Sequence, residues 1–154
     1  MNDRVEAGSA AAVSDETAFV LDADDARVLT EVGFLAAGRG DVARADVIFQ
    51  ALRALRPGRA YPWLGLAVAR LNAGRADEAV RLLEQGEASA AAERGLLAAW
   101  RGLALQLAGR TAESTRLLQA CAQGGEGAEG IALARSLLGL PAEMNDDPSR
   151  VNKS

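Results

Sequence analysis

The sequence predicts an all-α fold in which pairs of antiparallel helices stack into an α-solenoid. Three observations carry this prediction. Apolar residues make up 49% of the 154-residue chain, and Ala and Leu, the strongest helix formers, supply most of them. A pattern of small, large and turn residues recurs about every 34 residues, and a Gly-containing turn interrupts each copy at the same point. Such a repeat predicts stacked helix pairs, because one pair cannot bury its apolar face alone.

The repeat is clearest in two copies that align without a gap. Their corresponding positions are Leu29 and Trp63, Gly33 and Ala67, Gly40 and Gly74, Asp41 and Arg75, Ala45 and Ala79, and Phe49 and Leu83. A third copy follows after a one-residue shift, with Gly102, Gly109, Arg110, Ser114, Leu118 and Cys121 in these places. The third copy is the weakest, because Arg101 takes the position of Val32 and Leu66.

The helices are predicted from where the apolar period starts and stops. Gly-containing turns at 37–41, 73–75 and 108–110 end the first helix of each pair, because glycine accepts a positive φ without a Cβ clash. Pro57 ends the first pair, since proline cannot continue a helix. The sequence predicts helices at 24–37, 42–55, 61–73, 76–88, 92–107, 111–122 and 127–138. The last should cap the stack by covering the apolar face that the third pair leaves open.

The two ends of the chain lack this period. Residues 1–22 are rich in Ala, Ser, Gly and acidic residues, while residues 141–154 are polar and contain Pro148. We expect a disordered acidic amino-terminal arm at 1–22, a repeat domain at 23–140 and a disordered tail at 141–154. The first 25 residues carry a net charge of −6 and residues 26–140 carry +3. The arm is therefore expected to steer a basic partner or to cover a binding groove.

The composition argues against an enzyme. The chain has no His and one Cys, Cys121, so the commonest general base and metal ligand is missing. Acidic pairs such as Asp77–Glu78 stand at helix starts, where they favour the positive end of the helix dipole. We therefore expect no catalytic residues, no metal and no cofactor.

Charge and hydropathy restrict the partners and the location. Arg residues are scattered along amphipathic helices rather than clustered with aromatic residues, which argues against nucleic acid. The apolar stretches are too short for membrane insertion, and the amino terminus has no secretory signal pattern. We expect a cytoplasmic protein that binds another protein.

The first helices of the pairs should line a concave groove. Its predicted residues are Thr30, Phe34, Tyr61, Leu64, Val68, Leu71, Asn72, Leu96, Ala99, Leu103 and Gln106. An apolar groove with a polar rim is typical of a peptide-binding site, and Tyr61, Leu64 and Leu103 are expected to form its pockets. The alternative is that these residues pack against residues 19–21 of the chain itself, or against a second copy in a homodimer.

This pattern resembles the tetratricopeptide repeat (TPR) over residues 26–124. The resemblance implies an all-α TPR solenoid of three helix-turn-helix repeats plus a C-terminal capping helix. One TPR subclass grips a C-terminal carboxylate with several Lys, Arg and Asn residues. The groove offers only Arg27 and Asn72 in comparable places, so carboxylate capture is not expected.

The segments Ile48–Leu55 and Tyr61–Ala67 are similar to the first two repeats of a narrower family. These are the cytoplasmic chaperones of bacterial type III secretion, in particular the SycD/LcrH/IpgC-like class that holds hydrophobic translocator proteins. Residues 95–106 depart from this class, because they lack its aromatic and acidic residues.

The resemblance implies a virulence-associated chaperone that receives an extended or amphipathic segment of a secreted or apparatus protein in its groove. The alternatives are a needle-subunit chaperone or another apparatus-assembly TPR protein of the same systems, and a generic TPR interaction scaffold.

Overall fold

The computed structural model describes residues 21–124 and 127–142, and in these residues it contains α-helices, one short 3-10 helix and no strand. The helices are α1 Ala23–Gly38, α2 Val42–Leu55, α3 Tyr61–Asn72, α4 Ala76–Ser89, α5 Arg94–Leu107, α6 Thr111–Gln123 and α7 Ala128–Leu137. The predicted all-α repeat fold is confirmed. The predictions of disorder for residues 1–20 and 143–154 lie outside the described residues.

The helix bounds agree with the predicted ones to within two residues, and one local difference has a physical reason. The fifth helix was expected to begin at residue 92, whereas a 3-10 turn at Ala91–Glu93 precedes α5. In this turn Glu93 Oε1 accepts hydrogen bonds from Arg59 Nε at 2.8 Å and from the Ala60 backbone N–H at 3.2 Å. Glu93 thus ties the start of α5 to the start of α3, and the α-helix begins after it.

Aspartates start the first two helices. Asp22 Oδ1 accepts a hydrogen bond from the Asp25 backbone N–H at 2.8 Å, and Asp41 Oδ1 accepts one from the Arg44 N–H at 3.1 Å. A carboxylate in this position satisfies a backbone donor that the helix leaves open. Asp22, which the sequence assigned to the arm, therefore forms part of the folded domain.

The same closing turn follows every first helix of a pair. After α1, α3 and α5 the chain passes through Gly40, Gly74 and Gly109 with φ of 67°, 75° and 78°. Each turn is closed by a backbone hydrogen bond from the residue after the glycine to the carbonyl five positions earlier, for example Arg75 N to Arg70 O at 2.8 Å. A side chain with a Cβ is strained at such a φ, so glycine determines where the first helices end.

The end of α7 has this turn as well. Gly139 has a φ of 70°, and the Leu140 N–H donates to Arg135 O at 2.9 Å. Helix α7 packs against both α5 and α6, as α3 packs against both α1 and α2. The expected capping helix is therefore built as the first helix of a fourth pair whose second helix is absent from the described residues.

The core runs through the stack as three clusters of buried side chains. The first lies between α1, α2 and α3 around Phe49, Leu52 and Leu66; the second, between α3, α4 and α5, surrounds Leu83, Leu97 and Leu105. The third is the smallest and joins Ala99, Leu118 and Ala134 of α5, α6 and α7. Because consecutive pairs share these clusters, each pair is stabilised by its neighbours.

Candidate protein-binding groove

The first helices α1, α3, α5 and α7 form one side of the stack, with each packed against the next. The second helices α2, α4 and α6 form the other side. Every predicted groove residue lies on α1, α3 or α5. Most of these side chains are half-buried, so part of each is held by the core and part remains open to a ligand.

The end of the groove near the helix starts contains a cavity of about 420 Å³. Thr30 of α1 and Tyr61 of α3 line it together with Arg27 and Arg56. Thr30 Oγ1 donates to Ala26 O at 2.6 Å, so this hydroxyl offers only acceptor capacity to a ligand. The Tyr61 ring lies 5.9 Å from the Arg59 guanidinium. The cavity combines an aromatic wall with charged groups of both signs, because Glu31 also lines it and pairs with Arg27 at 3.3 Å.

The middle of the groove is apolar. Phe34 packs edge-to-face on Phe49, with ring centroids 4.9 Å apart, and Val68 packs on the same first cluster. Leu64 and Leu71 pack on the second cluster. These four side chains are half-buried. They offer a partner an apolar strip whose shape is fixed by the core beneath it.

Asn72 has a structural role at the groove's other edge. Its Nδ2 donates to Ala37 O at 3.0 Å and so joins the end of α3 to the end of α1. The amide N–H group that satisfies Ala37 is no longer available to a ligand carboxylate.

The α5 part of the groove differs from the predicted one at Ala99. Ala99 is fully buried against Leu118 and Ala134, because α7 lies on top of it, and it therefore offers no contact surface. Leu96 and Leu103 are half-buried and Gln106 is exposed. Leu96 also lines a cavity of about 260 Å³ between the starts of α5 and α7.

Residues of α7 form an open surface that the sequence reasoning did not include in the groove. Ala128, Ile131, Ala132 and Ser136 line a cavity of about 440 Å³ together with Leu140. Arg135 borders it and donates to Pro141 O at 2.9 Å and 3.0 Å. The repeat could have indicated this surface, because a first helix without its second helix leaves one face open.

The titratable groups of the described residues offer little for catalysis. Within 21–124 and 127–142 no three His, Cys, Asp or Glu side chains come together in a way that could hold a metal ion. Burial raises the pKa of the Cys121 thiol. A thiol with a raised pKa stays protonated near neutral pH and is a weak nucleophile.

The comparisons with known proteins agree with this architecture. The family model described as "Tetratricopeptide repeat" matches residues 36–100, from the end of α1 into α5. No curated protein and no solved structure matches the chain. The family match and the repeated helix pairs support a tetratricopeptide-repeat protein, a class that typically mediates protein–protein interaction without catalysis. Among the described residues, no helix is long and apolar enough to cross a membrane.

Proposed function

We propose that this protein is a non-catalytic, cytoplasmic chaperone of a bacterial type III secretion system, and that its groove holds a hydrophobic segment of a secreted partner. The observation that carries the proposal is the apolar strip of Phe34, Leu64, Val68 and Leu71, whose side chains are half-buried. A segment bound there would exchange exposed apolar surface for a preformed apolar wall.

The mechanism is binding alone. An extended or amphipathic segment in the groove keeps its apolar residues from aggregating or from entering a membrane early. Binding then stabilises the partner's soluble form by mass action. Three further roles use the same surface: a needle-subunit chaperone or other apparatus-assembly protein, a generic interaction scaffold, and a homodimer in which a second copy fills the groove.

Co-expression with each protein encoded beside this one separates these roles. We expect one partner that is insoluble alone to become soluble and to co-purify. A soluble needle subunit or apparatus component as the partner would support the second role. If only unrelated soluble proteins are recovered, the chaperone proposal is contradicted and the role of a generic interaction scaffold remains.

A groove variant tests the site itself. Leu103→Glu places a charge in the α5 part of the groove, next to the apolar strip, and we expect partner affinity to fall at least about tenfold. Leu103 suits this test better than Leu64, because Leu64 packs against the second cluster and its replacement would also cost stability. The matched control is Leu55→Glu, at a 43% exposed position on α2, outside the row of first helices.

Both variants should keep the helical circular dichroism of the wild type. The affinity for the partner, measured by isothermal titration calorimetry, should then be lower for Leu103→Glu than for Leu55→Glu. Equal affinities would show that the partner binds elsewhere on the molecule.

A further inference from the structure

We infer that the outer face of α1 is a dimer interface that takes a second copy of this chain in antiparallel orientation. This face lies outside the proposed groove, and the inference does not depend on what the groove binds.

The exposed face of α1 is apolar at its centre. Val28, Val32 and Leu35 are 58%, 42% and 64% exposed. Ala26 and Gly33, on another side of α1, are buried, and α1 packs there against α2 and α3. Three large apolar side chains on one solvent-facing stripe are unusual for a helix of a soluble domain.

The repeat shows what this stripe corresponds to. Residues 34 positions later are Pro62, Leu66 and Ala69 of α3; all three are buried, and Leu66 and Ala69 pack in the cluster shared with the preceding helix pair. The next repeat has Leu97, Arg101 and Ala104 in these places, and there Leu97 and Ala104 are fully buried and Arg101 is ion-paired to α4. The α1 stripe therefore corresponds to an inter-repeat contact surface, and no preceding pair covers it among residues 21–124 and 127–142.

The amino-terminal residues are poorly suited to supply that pair. A second helix of a preceding pair would fall, at the 34-residue spacing, on residues 8–21. The positions of Ala45, Phe49 and Leu52 then correspond to Ala11, Asp15 and Ala18. At this spacing the sequence has a charge where the repeats have a large buried apolar residue, so residues 8–21 do not match the repeat pattern.

A second copy fits because the stripe is complementary to itself. Asp25, Val28, Val32, Leu35 and Arg39 follow one another at spacings of three, four, three and four residues, the heptad spacing of paired helices. An acid stands at one end, a base at the other and apolar residues between them. When two α1 helices pair antiparallel about Val32, Asp25 of each faces Arg39 of the other.

Both charged residues are available for this pairing. Asp25 and Arg39 are exposed, and neither side chain has an ion-pair partner among the described residues. A twofold pairing is the commonest symmetry of homo-oligomers and brings the same patch of both copies together. Antiparallel α1 helices also place the positive end of each helix dipole beside the negative end of the other.

The pairing leaves the groove open. At 100° per residue, the groove residues Thr30 and Phe34 lie roughly 160° around α1 from Val32. The dimer would thus carry two separate grooves. Because one helix of about 24 Å offers less contact area than a typical stable interface, we expect a dissociation constant on the order of 10 μM.

Sedimentation equilibrium of the full-length protein between micromolar and submillimolar concentrations tests the inference. We expect a monomer–dimer equilibrium. Val32→Glu brings two carboxylates together at the twofold axis and should weaken the dimer at least about tenfold. Val47→Glu is the matched control, because Val47 is 74% exposed on α2 and lies off the stripe. An equal effect of both variants overturns the inference.

Charge exchange tests the antiparallel orientation. Asp25→Arg or Arg39→Asp alone sets like charges against each other and should weaken the dimer about threefold or more. The double variant restores opposite charges across the interface and should return the dissociation constant close to the wild-type value. If the double variant dimerises no better than either single variant, the proposed pairing is wrong.

A thiol at the twofold axis identifies the occupant. In a Cys121→Ser background, Val32→Cys should yield a disulfide-linked dimer on mild oxidation, whereas Val47→Cys should not. A protein that stays monomeric at every concentration overturns the inference. If the introduced thiol of such a monomer reacts slowly with a thiol reagent, the chain's own amino-terminal residues cover the face. If it reacts fast, the face is exposed to solvent.

Discussion

At the scale of single residues, the position of Phe49 depends on two glycines, because neither has a Cβ atom that would occupy the space of the ring. Its ring lies against Gly33 of α1 and Gly65 of α3, and a Cβ added to Gly33 would stand 2.8 Å from Phe49 Cζ. A Cβ on Gly65 would collide with the same ring even more closely. The two glycines therefore let three helices converge on one aromatic side chain.

Gly65→Ala should lower the free energy of unfolding by about 1–3 kcal/mol, because the ring of Phe49 has no free space to move into. Urea denaturation followed by circular dichroism measures the loss. In a Phe49→Leu background, Gly65→Ala should lower the free energy of unfolding much less than it does in the wild type. Gly58→Ala is the control, since nothing lies within 4 Å of its added Cβ. Strict additivity of the two core substitutions would contradict this account.

The repeat alignment placed a small residue at Gly33 and a large apolar residue at Phe49, and in the structure Gly33 lies against the ring of Phe49, which is fully buried. It did not identify Gly65. Gly33 and its counterparts Ala67 and Gly102 are small in every copy, whereas the counterpart of Gly65 in the first copy is Glu31. A contact that occurs in one repeat only leaves no periodic signal.

At the scale of elements, Arg101 explains how the weakest repeat is held. Arg101 departs from the repeat pattern, because the other copies have the apolar residues Val32 and Leu66 at this position. In the structure Arg101 Nε donates to Glu87 Oε1 at 2.6 Å, and Glu84 lies 3.6 Å away. Arg101 therefore joins α5 to α4 through charge where Leu66 joins α3 to the preceding pair through apolar contact.

Arg101→Ala should destabilise the protein by about 1–3 kcal/mol, because Glu87 is largely buried and would lose its charged partner. Adding Glu87→Gln should recover part of this loss, since no unpaired buried carboxylate then remains. A double-mutant cycle by thermal denaturation gives the coupling energy. Arg81→Ala, at an exposed position on α4, should change stability by less than about 0.5 kcal/mol. No coupling between Arg101 and Glu87 would refute this interpretation.

At the largest scale, both ends of the stack formed by the described residues are open. Helix α1 exposes the stripe that a preceding pair would cover, and α7 exposes the face that its own second helix would cover. The third cluster, which α7 closes, is the smallest of the three. Stability in such a stack is close to a sum over neighbouring pairs, so the two ends should open at different free energies.

Ala134→Asp should detach α7, because Ala134 is fully buried against α5 and an unpaired charge there costs about 3 kcal/mol. Hydrogen exchange by mass spectrometry should show faster exchange in α6 and α7, while α2 keeps its protection. The matched control is Ala132→Asp on the exposed face of the same helix. Uniform loss of protection along the chain would mean that the stack unfolds as one unit.

The local features could be predicted from the amino-acid sequence: the helix pairs, the glycine turns that end their first helices and the small and large positions of the repeat. These follow from the 3.6-residue period and from the backbone freedom of glycine, which act over a few residues. The row of groove residues on α1, α3 and α5 followed from the same period.

Which surfaces stay open could be learned only from the contacts between helices. In the structure Ala99 is buried under α7, and the Asn72 amide donates a hydrogen bond to Ala37 O. Arg101 pairs with Glu87, and the stripe of Val28, Val32 and Leu35 is exposed. Burial depends on which neighbouring helix is present, and a side chain's own position in the repeat does not contain that information.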